Sequence, residues 1–222
     1  AGGTRGHGAM SEAIPTVYIV DDDPSFLKAI ARFLTANGFE VKTFSSASEF
    51  LAHRDSDDSG CVVTDLQMPD MDGLSLQTAM AASSNPLPFL FLTGLGNIHS
   101  SVQAMRGGAE DFLEKQAPQA ELLDAVTRAL FRDARERKGR VRQLQLRALF
   151  DSLTTRELEV LSHVLEGRLN KQMASDLGIN ERTVKLHRSA IMRKMGVRSV
   201  AALARLSEEA GVQPTLCRQP AL

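Results

Sequence analysis

A chain of 222 residues, 43% hydrophobic and 24% charged, is long enough for two ordinary domains and is neither disordered nor fibrous in composition. No apolar run approaches the roughly 18 residues of a spanning helix and no signal peptide opens the chain. The two cysteines, Cys61 and Cys217, lack metal or redox spacing, so the expectation is a cytoplasmic protein with reduced thiols and no membrane partner.

Residues 1–13 are Gly-rich and unpatterned, and read as a disordered remnant of cloning. Thr16–Val20 is a β-branched run that ends on Asp21-Asp22-Asp23. Pro24 suits a first helical turn capped by Asp23, and Phe26, Leu27, Ile30, Phe33 and Leu34 then recur at helical spacing until Gly38. The alternation continues: strand 39–44, helix 47–53, strand 61–65, helix 74–82, an apolar strand 88–93, a helix 98–105 that Asn97 can cap, strand 109–113, and a helix from Ala120. Five strands alternating with five helices predict an α/β domain over 14–125. Its sheet would be parallel, doubly wound and flavodoxin-like, with ligands outside the carboxyl ends of the strands.

Those ends collect Asp21, Asp22, Asp65, Thr93 and Lys115. Singly, each has a plainer reading: aspartates cap helices, Thr93 is a strand residue, Phe112 is core and Lys115 is a surface lysine. Together, three carboxylates on one edge call for a hard cation, and carboxylates, a carbonyl and retained waters suit Mg²⁺. Beside the metal one carboxylate can attack phosphorus, while Lys115 and the Thr93 hydroxyl share the phosphoryl charge.

Residues 14–131 resemble a response-regulator receiver domain of the FixJ/NarL kind, through VDDD (20–23), VVTDLQMPDMDG (62–73), FLTG (91–94) and EDFLEK (110–115). The resemblance implies that Asp65 is the phosphoacceptor. Asp22, Asp65 and the Gln67 carbonyl would hold Mg²⁺ or Mn²⁺, with Asp21 acting mostly through a metal-bound water. Thr93 and Phe112 would form a switch pair, and Lys115 would meet a phosphate oxygen. Two departures stand out. Such receivers usually place a proline after the site lysine, in a cis peptide; here Gln116 follows, so the bond is either a strained cis or a trans one in an altered loop. Leu95 and Asn97 stand where His and Asp are common.

Charge is unevenly distributed. Residues 14–124 carry 16 acidic and 6 basic side chains, whereas residues 125–150 carry 2 and 8. A linker, 126–150, stays helical without proline. A seam of Leu123, Val126, Leu130, Ala134, Arg137, Val141, Leu144 and Ala148 has heptad spacing, weakened by Arg137 and Gly139. Either it pairs in a dimer or it is a solvated connector.

Residues 151–210 turn all-α, with a tail at 211–222. Thr154-Thr155-Arg156-Glu157 is a capping box, Asn170 is expected to cap helix 171–177, Asn180 caps helix 181–195, and Ser199 opens a fourth helix. A short helix, a glycine turn at Gly178 and a longer basic helix predict a separate four-helix helix-turn-helix domain. In the basic helix Val184, Ile191 and Met195 share an inner face. Arg182, Lys185, Leu186, Ser189 and Arg193 lie opposite. Residues 153–206 resemble the LuxR-type DNA-binding domain through LTTRE, NKQMA, LGIN, TVKLH, IMRKM and VRS. By that likeness Lys185, Leu186 and Ser189 read bases. Asn170, Lys171, Thr183, His187, Arg188 and Lys194 meet phosphates or set register, with Arg182 on the same DNA-facing side.

The combined expectation is a response regulator. A sensor histidine kinase phosphorylates Asp65, and the protein then forms a homodimer and binds promoter double-stranded DNA, with RNA polymerase as a further partner. It has no catalysis beyond its own phosphotransfer and dephosphorylation. One alternative keeps DNA binding and makes the receiver purely structural. Another reads Asp21-x-Asp23-x-Ser25 as a haloacid-dehalogenase-like phosphatase motif, which leaves Asp65 and the back half unexplained.

Overall fold

The computed structural model describes residues 15–55, 57–94 and 98–212, which divide into two compact units between Arg137 and Lys138. Leu95, Asn97 with its expected capping role, residues 1–13 and Cys217 lie outside the described residues. Among those described, no helix is long and apolar enough to cross a membrane.

The first unit alternates β1 (Thr16–Val20), α1 (Pro24–Ala36), β2 (Glu40–Phe44), α2 (Ala47–His53), β3 (Gly60–Thr64), α3 (Gly73–Ala81), β4 (Phe89–Thr93), α4 (Ile98–Arg106) and β5 (Asp111–Glu114). All pairings are parallel, in the order β2-β1-β3-β4-β5. The central strands read as unbroken apolar runs because both of their faces are covered. Successive residues point to opposite faces. Tyr18, Val20, Val62 and Phe91 join Phe50 and Leu76 in one core layer, while Val17, Ile19, Val63, Leu90 and Leu92 join Leu34, Ala125 and Val126 in the other.

Most boundaries shift by a residue or two from expectation, and those of β5 and β3 have a clear cause or consequence. The last strand begins at Asp111 rather than 109, because Gly108 at φ +86° closes α4 and the Ala109 N–H still bonds the Ala104 carbonyl (3.1 Å). Strand β3 ends at Thr64, which leaves Asp65 just beyond the strand. The Lys115–Gln116 peptide is trans, as is every described peptide bond.

Helix α5 runs unbroken from Gln119 to Asp151. In the first unit Leu122, Ala125, Val126 and Ala129 enter the core, and the buried Asp133 carboxylate accepts the Gly60 N–H (3.0 Å). The expected seam divides. Leu123, Val126 and Leu130 serve this core, whereas Ala134, Val141, Leu144 and Ala148 are exposed. Further on, Leu146 and Phe150, which lie off the seam, are buried, and Phe150 joins the core of the second unit.

The second unit adds α6 (Thr155–Leu165), α7 (Asn170–Asp176), α8 (Glu181–Lys194) and α9 (Val200–Glu209). Val160, Leu161, Met173, Val184, Ile191, Met195 and Leu203 form its core. The Thr154–Glu157 capping box forms as expected, and Asn180 and Ser199 cap α8 and α9. Asn170 does not cap α7. Leu169 holds the cap position, with its N–H bonded to Gln172 Oε1 (2.9 Å), and the Asn170 amide oxygen instead accepts from Arg188 (3.0 Å).

Candidate functional site

Strand register brings the polar residues of the first unit together. Val20 lies opposite Thr64 in the β1–β3 pairing, so Asp21 and Asp65, one residue beyond each strand, emerge side by side. Thr93 lies opposite Glu114 in β4–β5, which delivers Lys115 to the same edge. The backbone pins all three: Asp21 N–H to Phe44 O (3.1 Å), Asp65 N–H to Val20 O (2.9 Å) and Lys115 N–H to Thr93 O (2.8 Å).

Lys115 Nζ lies 2.6 Å from Asp21 Oδ2 and 3.0 Å from Asp65 Oδ2. The other Asp65 oxygen accepts the Leu66 N–H (2.6 Å), and Asp21 Oδ1 accepts that of Asp23 (3.0 Å). Asp21, 1% exposed, has its carboxyl pulled above the usual carboxylate range by burial, against the pull of Lys115. Burial alone would lower the Lys115 pKa, but its hydrogen bonds to Asp21 and Asp65 outweigh this and hold it above the ordinary value, so the ammonium stays charged. Carboxylate oxygens of Asp21, Asp22 and Asp65 lie within 4.8 Å of one another, with Asp22 the exposed member. Three hard oxygen donors, only partly neutralised by one ammonium, fit a Mg²⁺-sized cation.

Around this cluster Thr93 is buried at the end of β4, and half-buried Phe112 packs its ring against Phe91 (5.9 Å between centroids). Gln67 is exposed two residues past Asp65. Gly73 is required for space, since a Cβ there would sit 2.3 Å from the Asp65 carbonyl oxygen. In the sequence Phe26 is only one member of an apolar helical stripe. Its ring centroid in fact lies 4.4 Å from Lys115 Nζ.

In the second unit α8 buries Val184 and Ile191 and leaves Arg182, Lys185, Leu186 and Ser189 exposed, Leu186 by 64%. A single exposed apolar side chain is ordinary on a protein surface, so what distinguishes this face is the run of basic and polar side chains around Leu186. Thr183 is fixed by Asn180, whose Oδ1 accepts both its N–H (2.8 Å) and its hydroxyl (2.9 Å). His187 and Arg188 are half-buried, and Lys171 is exposed at the start of α7. Lys194 is engaged inside the unit: its Nζ donates to Glu157 Oε2 (2.6 Å) and to the Ser152 carbonyl (3.0 Å). Arg198, which the sequence places only within the VRS motif, lines a shallow cleft with Lys185, Arg188 and Ser189.

Residues 17–127 match the response regulator receiver domain model, and residues 151–207 match that of bacterial regulatory proteins of the luxR family. Nodulation protein W of Bradyrhizobium diazoefficiens is 40% identical over 94% of this chain and 92% of its own. The transcriptional regulatory protein FixJ of Rhizobium meliloti is 38% identical over 90% of this chain and 98% of its own. Among solved structures, that of the response regulator StyR is 46% identical, with a TM-score of 0.82 over 89% of this chain and all of that one.

Proposed function

The chain belongs to the two-component response regulators that carry a LuxR-type DNA-binding output domain, and from that premise we propose that Asp65 is its phosphoacceptor. The family consists of transcription regulators, not of enzymes acting on an external substrate. The observation that carries the proposal is the convergence of Asp21, Asp22 and Asp65 within 4.8 Å, with Lys115 bonded to both Asp21 and Asp65.

A carboxylate oxygen of Asp65 forms the new P–O bond as the P–N bond to a kinase histidine breaks. Asp22, Asp65 and the Gln67 carbonyl, with Asp21 nearby, would hold Mg²⁺, which would supply positive charge to offset that on the phosphoryl oxygens. Lys115 carries the remaining positive charge. The Thr93 hydroxyl turns to the phosphoryl group, and Phe112 follows into the space released. Phosphorylation then favours a homodimer whose output domains bind two-part promoter DNA in the cytoplasm, with RNA polymerase in reach.

In the output domain Lys185, Leu186 and Ser189 face the bases, and Arg182, Thr183, His187, Arg188 and Lys171 meet the backbone. Asn170 serves this surface indirectly, by holding Arg188. We assign Lys194 to seating α8, because its charge is already paired with a buried carboxylate.

Acetyl phosphate with Mg²⁺ should give a single phosphoryl adduct by mass spectrometry, absent in Asp65→Asn, and beryllofluoride should tighten promoter binding. An unmodified wild type, or equal promoter affinity with and without beryllofluoride, would favour a purely structural receiver.

A further inference from the structure

We propose that Phe26 is a positioning residue for phosphotransfer, its ring holding the Lys115 ammonium beside Asp65. The inference rests on the reading of Asp65 as the phosphoacceptor.

A lysine ammonium sits at the end of four rotatable bonds, so its position is set by what its tip touches. Here the backbone fixes only the base of the side chain, through the Lys115 N–H to Thr93 O bond. The tip meets Asp21 Oδ2 at 2.6 Å, Asp65 Oδ2 at 3.0 Å and the Phe26 ring at 4.4 Å. Both carboxylates change state during the reaction: a bound cation draws on their charge, and Asp65 becomes an acyl phosphate. The ring is the one partner of the three that neither event alters. Its negative face attracts the ammonium throughout, and it offers no oxygen that could compete with a phosphoryl group.

The ring is also placed by the pocket itself. Asp21 Oδ1 accepts the Asp23 N–H (3.0 Å), and Asp23 Oδ1 in turn accepts those of Ser25 (2.8 Å) and Phe26 (3.3 Å). With Pro24 fixing the first turn, this relay sets α1 so that its third residue reaches over Lys115. The rest of the ring borders an apolar recess with Ile30, Phe33, Leu92 and Leu122. Asp23, which has no place in the phosphoryl chemistry, thereby gains one in its geometry.

The test uses the full chain, Mg²⁺ and acetyl phosphate, with the phosphorylation rate read by mass spectrometry. Phe26→Leu, which keeps an apolar side chain and removes the aromatic face, should slow uptake about three- to tenfold. Phe26→Tyr should stay within about twofold of wild type, since the ring face is retained. In a Lys115→Ala background Phe26→Leu should have no further effect. An unchanged rate in Phe26→Leu, or the same loss with Lys115 absent, would overturn the proposal. Should Phe26→Leu fold poorly by circular dichroism, pentafluorophenylalanine at position 26 decides the matter. It keeps the ring's shape and reverses its electrostatics, so wild-type uptake there would refute the role and slowed uptake would support it. A wild type that takes up no phosphoryl group overturns the acceptor reading, and this inference with it. A normal wild type with an indifferent Phe26 overturns this inference alone.

Discussion

Replacing Glu157 by glutamine tests whether the α8 helix is seated by an ion pair. Glu157 Oε2 lies 2.6 Å from Lys194 Nζ, and the two side chains are 7% and 31% exposed. The same oxygen accepts the Thr154 N–H (2.8 Å), so one carboxylate both caps α6 and holds the end of α8. Breaking a fully buried pair costs about 3–5 kcal/mol, because a charge is stranded. Glutamine keeps an acceptor for Thr154, and Lys194 retains the Ser152 carbonyl and some access to water, which brings the expected loss to about 1.5–3 kcal/mol. Urea unfolding of the full chain at neutral pH, followed by far-UV circular dichroism, measures it. The hydrogen bond from Lys194, then that from the Thr154 backbone, holds the Glu157 carboxyl below its ordinary range. Its contribution is therefore complete above the unfolded-state value of about 4.3 and is lost as pH falls through the lower folded-state value. Glu157→Gln should remove that acid-side slope. Lys194→Gln, assayed where it is folded, should leave the salt dependence of DNA binding unchanged, whereas losing a phosphate contact would lower the slope by about 0.9. A loss below about 0.5 kcal/mol in Glu157→Gln, or a reduced salt slope in Lys194→Gln, would refute the reasoning.

Gly60→Ala should destabilise the first unit by about 3 kcal/mol or more, since Gly60 adopts φ +135° and a Cβ would lie 1.8 Å from the Thr16 carbonyl oxygen; a urea midpoint near that of wild type would contradict this. The Cys61 thiol is fully buried, and burial first, then the Asp133 charge, pushes its pKa far up. Peptide mapping after iodoacetamide treatment at about pH 8.5, where an ordinary thiol reacts, should find Cys61 unmodified until denaturant is added. Lys185→Ala should cost about 1–3 kcal/mol in promoter affinity and much less on unrelated DNA; equal losses in a competition titration would make Lys185 a backbone contact.

Much of the candidate site was legible in the sequence because the chain supplies each member at the end of a strand, and strands declare themselves by local apolar runs. Asp21, Asp65, Thr93 and Lys115 could thus be named with the edge on which they meet. Phe26 was not legible in this sense. A phenylalanine at helical spacing looks like core packing, and only the distance to Lys115 separates the two roles. Lys194 shows the opposite limit: in a basic helix every lysine resembles a phosphate contact, and the ion-pair partner of this one lies 37 residues earlier in the chain. The heptad seam failed as a guide to burial for a related reason. Spacing sets which residues share a helix face, but the two cores, one taking Leu122, Ala125 and Val126 and the other Phe150, set which faces are covered.

The sequence by itself determined the alternation of strands and helices, the helical output domain and most of its caps, because hydrophobic periodicity and capping act over a few residues. Tertiary structure alone decided which neighbours meet. The strand order β2-β1-β3-β4-β5 sets Asp21 beside Asp65, and the β4–β5 register then brings Lys115 to both. Partners 44 to 94 residues apart are selected by register, packing and charge in space, and no local pattern in the chain encodes those distances.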